Sequence, residues 1–158
     1  MRRQTDSRPD SGRSEVRDHI KNNTIMWLSE YNLGGLRMDM IPYIRNIKAD
    51  GNPANDLPDG YSMIAEINKT ISEIYPQKKT IAEDMHSLES ITLNTKNGGL
   101  GYGSQWDAEF VHPVRKTPIK QDDIDHDMNA VASTLLHRYN HAFERIVYTE
   151  SHDEVANR

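Results

Sequence analysis

The chain has 158 residues, enough for one domain, and 35% of them are hydrophobic, which is low for a self-contained globular domain. Its formal net charge of −5 gives a nucleic-acid role no electrostatic support, and the lack of cysteine excludes disulfides and thiolate chemistry. No apolar run is long enough for a membrane span or a signal peptide. We therefore expect a cytoplasmic protein with neither a nucleic-acid nor a membrane partner.

The N-terminal part predicts a polar end followed by a helix. Residues 1–13 are rich in Arg, Ser and Asp and predict a loop, so we place the domain at residues 14–158. Ser14 is suited to cap a helix, and apolar residues then recur at helical spacing. This helix should end near Asn32, before a pair of glycines.

The next part predicts strand, loop, helix and strand. Gly35–Asp39 reads as a short buried strand that ends in an acid. Residues 42–60 carry several prolines and glycines and predict a long loop. A helix should follow, because isoleucines step by three, four and three residues at Ile64, Ile67, Ile71 and Ile74. Thr80–Glu83 is the second predicted strand.

The C-terminal half predicts strand, loop, helix and strand. The glycine-rich residues 97–103 lack the pattern of a phosphate-binding loop and predict a flexible turn. A strand is expected at Gln105–Phe110, a polar loop at residues 113–123 and a last strand at Arg145–Glu150. Between loop and last strand, one helix should carry the apolar stripe Ile124, Met128, Val131, Leu135, Tyr139 and Phe143.

Alternation of strands and helices predicts an α/β fold with a parallel sheet. A closed barrel of eight such units needs about 250 residues, so this chain holds about half of one. Active sites of parallel α/β proteins lie at the carboxyl ends of the strands. The acids that end the predicted strands should therefore lie on the active-site face.

Three strand ends deliver carboxylates: Asp39, Glu83 and Asp153. Arg37 lies two residues before Asp39, on the same side of a strand, and favours the charged form of that acid. Glu83 closes a very apolar strand, so burial should raise its pKa. An ionised carboxylate beside a protonated one is what retaining cleavage of a glycosidic bond needs.

Three segments resemble signature regions of the α-amylase clan, glycoside hydrolase family 13. Gly35-Leu36-Arg37-Met38-Asp39 resembles its second region, Ala82-Glu83-Asp84 its third, and Thr149-Glu150-Ser151-His152-Asp153-Glu154 its fourth. The Glu-Ser-His-Asp wording, with residues 55–60 and 105–110, looks most like 1,4-α-glucan branching enzymes. The resemblance covers nearly the whole chain from about Arg8.

The resemblance implies a fold and three catalytic roles. Residues 14–158 would be part of a catalytic (β/α)₈ TIM barrel, roughly its strands 4 to 7 with their helices. Asp39 would be the nucleophile, Glu83 the general acid/base, and Asp153 the carboxylate that stabilises the transition state. The family cuts an α-1,4 link of glycogen, amylose or starch and passes the chain to a 6-hydroxyl, with no dissociable cofactor.

The same resemblance assigns two residues to substrate binding. Arg37 would orient Asp39, and His152 would bind a sugar hydroxyl. His86, just after the third region, is a further candidate for the acceptor subsite. Trp106 is either core or a sugar-stacking platform, and its place on a predicted strand favours the core.

The sequence departs from the family in three respects. The family's first region is not found, and neither are its eighth strand and flanking domains. Met40-Ile41-Pro42 stands where relatives usually carry small or polar residues. A half barrel exposes sheet edges and apolar helix faces, so we expect the chain on its own to have little or no activity.

Other functions stay open. An α-amylase-type or trehalose-releasing hydrolase would use the same catalytic residues, and a non-catalytic glucan-binding or inactive truncated fragment would use none. A metal site is suggested by His137 and His141, four residues apart on a predicted helix, and by the Glu-x-x-His spacing of Glu83 and His86. His137 is flanked by Arg138 and Asn140, as at a surface position, so we expect no metal.

Overall fold

The computed structural model describes residues 8–117, 122, 124 and 126–153, and it contains one sheet of four parallel strands in sequence order. The strands are β1 (Gly35–Met38), β2 (Lys79–Ala82), β3 (Ser104–Trp106) and β4 (Arg145–Ile146). The first two lie within one residue of the predicted bounds. Because all four run in the same direction, their carboxyl ends meet at one edge of the sheet.

Six α-helices accompany the sheet in the described residues: α1 (Ser14–Ser29), α2 (Ile41–Arg45), α3 (Pro58–Ile74), α4 (Glu89–Thr92), α5 (Ala108–Lys116) and α6 (Met128–Leu136). Short turns of 3₁₀ helix occur at Pro53–Asn55, Thr95–Asn97 and Ala142–Glu144. Among the described helices, none combines the length and the apolar character that a membrane crossing requires.

The two faces of the sheet differ in what covers them. Register pairs Met38 with Ala82, Ala82 with Gln105 and Gln105 with Arg145, and side chains in this row share one face. Met38 and Ala82 pack there in the main core with Ile41, Ile64, Ile91, Leu100 and Tyr102. Arg37 belongs to the opposite face, which carries the side chains that continue into the predicted site.

Helix α3 supplies most of the second core cluster, as its isoleucine stripe predicted. Ile67 and Ile71 are buried against Leu28 of α1, and Ile64 is buried in the main core. Ile74 is the exception, because it ends the helix and lies exposed. The helix starts earlier than predicted, at Pro58, since proline suits the first turn of a helix.

The predicted loop at residues 42–60 needs correction at both ends. Its start is the short helix α2, with Pro42 in the first turn, and its end belongs to α3. Gly60 allows α3 to approach α2, because a Cβ there would lie 1.9 Å from the carbonyl oxygen of Ile44. The prolines that predicted a loop therefore start helices instead.

The predicted strand Gln105–Phe110 is wrong beyond Trp106. Asp107 leaves the sheet and caps α5, its Oδ1 accepting from the main-chain N–H of Phe110 at 3.2 Å. The start of the predicted loop at 113–123 is also helical, through Lys116, with Pro113 inside the helix. The rest of that loop lies largely outside the described residues.

The last predicted helix is shorter and more exposed than its apolar stripe suggested. Helix α6 ends at Leu136, and the remainder of the stripe lies outside it. Tyr139 is buried, whereas Met128, Leu135 and Phe143 are exposed. The last strand is also shorter than predicted, because only Arg145–Ile146 pair with β3.

Candidate active site

The first predicted pair of site residues is in contact at the end of β1. Arg37 and Asp39 lie on the same side of the strand, as the two-residue period requires, and Nη1 of the arginine is 2.5 Å from Oδ1 of the aspartate. The side chain of Asp39 is 67% exposed, while that of Arg37 is mostly covered. The ion pair thus places an exposed carboxylate beside a fixed cation.

An aromatic ring holds the guanidinium of Arg37. Its central carbon lies 4.3 Å from the ring centroid of Trp106, at the end of β3, and a cation over an indole face is attracted to it. Tyr148 packs on the same indole with ring centroids 4.8 Å apart. Trp106 is half-buried, and the guanidinium takes up one face of its ring.

Glu83 follows β2 directly and is only 8% exposed. Its Oε2 accepts from the main-chain N–H of Met40 at 2.6 Å, and its carbonyl oxygen accepts from the N–H of Ile41 at 3.1 Å. Met40 reaches this position through a left-handed conformation with φ of 47°. The peptide after Asp39 is therefore bonded to the neighbouring acid.

Burial raises the pKa of the Glu83 carboxyl above its ordinary value. The N–H of Met40 and the charge of Arg37 oppose this increase by stabilising the ionised form, while the charges of Asp39 and Asp153 add to it. A buried carboxyl whose pKa is raised, close to an exposed carboxylate paired with a cation, is the arrangement of an acid/base and a nucleophile.

Asp153 and His152 lie beyond β4, and both side chains are exposed. His152 Nε2 is 3.4 Å from Asp153 Oδ2. The charge of Asp153 contributes least among the causes that act on the pKa of Glu83. Asp39 and Glu83 follow the carboxyl ends of β1 and β2 directly, whereas Asp153 lies further along the chain after β4.

A buried ion pair behind the site was not predicted. Asp84 is fully buried and receives Arg45 Nε at 2.7 Å, and Arg45 is itself 1% exposed. Arg45 also donates through Nη1 to Asp56 at 3.0 Å. A buried carboxylate requires a cationic or hydrogen-bonding partner, and Arg45 supplies it for Asp84. Arg45 was not identified from the sequence because it lies in the segment predicted as a loop.

His86 belongs to the same group. Its ring Nδ1 lies 2.8 Å from Asp84 Oδ1, and its main-chain N–H donates to that oxygen at 3.1 Å. By contrast, His137 and His141 do not share a helix, because His137 ends α6 and His141 precedes a 3₁₀ turn. No group of three or more potential metal ligands occurs among the described residues.

Comparison with known proteins matches the chain to one family. The family model of the α-amylase catalytic domain matches residues 6–156. A 1,4-α-glucan branching enzyme GlgB of Kitasatospora aureofaciens is 31% identical over 94% of this chain and 20% of its own length. A second enzyme of that name, GlgB 2 of Streptomyces avermitilis, is 29% identical over 94% of the chain and 26% of its own length.

A third similar protein, the GlgB branching enzyme of Corynebacterium diphtheriae, is 28% identical over 94% of the chain and 21% of its own length. The chain therefore spans between a fifth and about a quarter of these curated relatives. Its parallel sheet with accompanying helices is a part of the (β/α)₈ barrel that the resemblance implied. The chain belongs to the family of α-amylase catalytic domains.

Proposed function

We propose that this chain carries the catalytic carboxylates of a retaining 1,4-α-glucan branching enzyme. The observation that supports this most is that the buried Glu83 accepts from the main-chain N–H of the residue directly after Asp39, at 2.6 Å, and burial raises the pKa of this carboxyl. The names of the similar proteins favour branching over other reactions of the family. The substrate would be an α-1,4-glucan such as glycogen, amylose or starch, in the cytoplasm.

The first half of the reaction cleaves the α-1,4 bond. Asp39, paired with Arg37, attacks the anomeric carbon, while Glu83 gives its proton to the leaving 4-oxygen. The products are a glucosyl ester on Asp39 and a shortened glucan. Asp153 would stabilise the positive charge that develops on the sugar ring in the transition state.

The second half of the reaction forms the branch. Glu83, now ionised, takes the proton of an acceptor 6-hydroxyl, whose oxygen attacks the anomeric carbon and releases Asp39. His152 would hold a hydroxyl of the sugar, and His86 would lie on the acceptor side. Water in place of the 6-hydroxyl would give hydrolysis with the same residues.

A second candidate is a glucan-binding fragment without turnover. It is favoured by the exposure of Asp39 and Asp153, two of the three acids, to solvent. Catalysis depends on a water-excluded site in which charges act strongly. We therefore expect the chain on its own to branch glucans slowly or not at all.

The test is covalent trapping on the intact 158-residue chain. A 5-fluoroglucosyl fluoride forms an ester with the enzyme, and this ester hydrolyses slowly. Mass spectrometry of peptides should therefore find the label on Asp39. The label should be absent from Asp39→Asn and should form more slowly in Glu83→Gln. Between Asp84→Asn and wild type, only the position of the label is compared. Labelling of a different residue would overturn the proposal.

Turnover and glucan binding are measured in parallel with the covalent labelling. With amylose, branching shifts the iodine stain without releasing reducing sugar, whereas hydrolysis releases it. Glycogen binding that survives in Asp39→Ala and Glu83→Ala, with neither label nor turnover in the unaltered chain, would favour the binding fragment instead.

A further inference from the structure

The carboxylate that follows the acid/base is held in one orientation from behind. Asp84 is fully buried, and its Oδ2 receives Nε of Arg45 at 2.7 Å. Arg45 is tied in turn to Asp56 through Nη1 at 3.0 Å. Because a guanidinium has only N–H donors, Asp84 acts as the hydrogen-bond acceptor in this pair.

The other oxygen of Asp84 fixes His86. Oδ1 accepts from the main-chain N–H of His86 at 3.1 Å and lies 2.8 Å from its ring Nδ1. Since Oδ1 already acts as an acceptor towards this N–H, the geometry places the hydrogen of the second contact on Nδ1. In the tautomer with its hydrogen on Nδ1, the ring has its free lone pair on Nε2.

The loop at residues 46–56 limits how the ring can turn. A Cβ on Gly51 would lie 3.3 Å from the Cβ and 3.4 Å from the Cδ2 of His86, so the glycine backbone packs against the imidazole. Asn46 and Arg45 both donate to Asp56 Oδ1, at 2.9 and 3.0 Å, which braces this loop. The ring is therefore clamped between the loop and Asp84.

The remaining edge of the ring is open. His86 is 31% exposed, and no described residue makes a hydrogen bond to its Nε2. The residue lies three positions after Glu83, at the carboxyl end of β2, where the active-site face begins. The open Nε2 edge therefore belongs to the segment that follows Glu83 on the active-site side of β2.

We propose that Asp84 and Arg45 are positioning residues that present Nε2 of His86, as a hydrogen-bond acceptor, to a hydroxyl of the acceptor glucose. This rests on the proposed function. No proton moves to His86: the acceptor 6-hydroxyl proton goes to Glu83, the bond from O6 to the anomeric carbon forms, and the bond to Asp39 breaks. Water lacks a second hydroxyl to be held, so the contact favours transfer to sugar over hydrolysis.

The tautomer is tested on the intact chain without any need for activity. Long-range nitrogen–proton NMR, at a pH above the ordinary pKa of imidazole, should show His86 protonated on Nδ1 and bare on Nε2. His137 is the matched control, because its Nδ1 also lies near a carboxylate, 3.3 Å from Oε2 of Glu109. The side chain of Glu109 is 53% exposed, whereas Asp84 is buried. A proton on Nε2 of His86 would overturn the proposal even if branching is confirmed.

The role in binding is tested with maltotriose as the acceptor probe. Titration should shift the Nε2 resonance of His86, and His86→Gln should weaken maltotriose binding about fivefold, the effect of losing one hydrogen bond. Asp84→Asn should also weaken it, whereas His137→Gln should leave it unchanged. Thermal unfolding shows whether each variant is folded. Arg45→Lys, which keeps the charge, should retain part of the preference of His86 for a proton on Nδ1.

The outcomes separate the two proposals. A correct tautomer with an Nε2 shift supports the acceptor role whether or not Asp39 is labelled by the fluoride. Absence of any maltotriose effect on His86, or equal weakening by His137→Gln, overturns it. Failure of the label on Asp39 bears on the proposed function alone.

Discussion

Replacing Arg45 by methionine should cost more stability than almost any other substitution of a charged residue here. The change leaves the fully buried Asp84 with His86 as its one described partner, because the guanidinium of Arg45 supplies the 2.7 Å bond to Oδ2. Breaking a buried pair by removing one partner costs about 3–5 kcal/mol. A domain of this size is stable by about 5–15 kcal/mol, so the loss is a large part of the total.

Urea unfolding, followed by circular dichroism at neutral pH, measures the loss. With a slope of about 2 kcal/mol per molar urea, the midpoint of Arg45→Met should fall by about 2 M. Removing both charges, in Arg45→Met with Asp84→Leu, should restore most of the stability, because no charge is then left buried without a partner.

The control is an exposed pair on α3. Lys69 Nζ lies 4.0 Å from Glu73 Oε1 with both side chains mostly in solvent, so Lys69→Met should change stability by at most about 0.5 kcal/mol. A loss below about 1 kcal/mol for Arg45→Met would refute the reasoning, since that is the range of surface pairs. So would a double variant no more stable than the single one.

Two further predictions concern Glu83 and Gly60. Because burial raises the folded-state pKa of Glu83, its carboxyl contributes stability that is complete below the unfolded pKa and is lost as pH rises through the folded one. Between acid and neutral pH, the free energy of unfolding of wild type should therefore fall relative to that of Glu83→Gln, by about 1.4 kcal/mol for each unit of difference between the folded and unfolded pKa values. A difference between the urea midpoints of the two proteins that does not change with pH would contradict this. Gly60→Ala should lower the thermal midpoint strongly, because its Cβ would lie 1.9 Å from the Ile44 carbonyl oxygen, while Gly34→Ala, with nothing within 4 Å, should not; equal midpoints would contradict the close contact.

Periodicity predicted the parts of the fold in which packing agrees with local preference. The isoleucine stripe of α3 and the strands β1 and β2 were found this way, because burial on one face repeats at 3.6 or 2 residues. The apolar stripe after Ile124 misled, because Met128 and Leu135 are spaced for a helix but lie exposed. Spacing alone does not say whether a partner surface is present.

Caps and prolines account for most of the remaining errors. Asp107 looked like a strand residue, yet its carboxylate bonds the N–H of Phe110 and starts α5. Pro42 looked like a loop residue, yet it begins α2. At both positions the side chain determines where a helix begins. The spacing of apolar residues does not contain this information.

The candidate site could be predicted as residue types but not as a connected network. Strand ends located Asp39 and Glu83, and the same-side rule located Arg37. Arg45 could not be found, because its link to Asp84 crosses 39 positions and depends on how α2 packs on the sheet. Long-range contacts of this kind need the fold itself.

The left-handed turn at Met40 has a consequence for evolution at that position. Glu83 uses the peptide N–H of residue 40 and ignores the side chain, which points largely into solvent. Any amino acid that tolerates this backbone can therefore replace methionine, and glycine would adopt it with least strain, whereas proline would remove the donor. Position 40 is thus constrained by its main-chain contact with Glu83 rather than by the chemistry of its side chain.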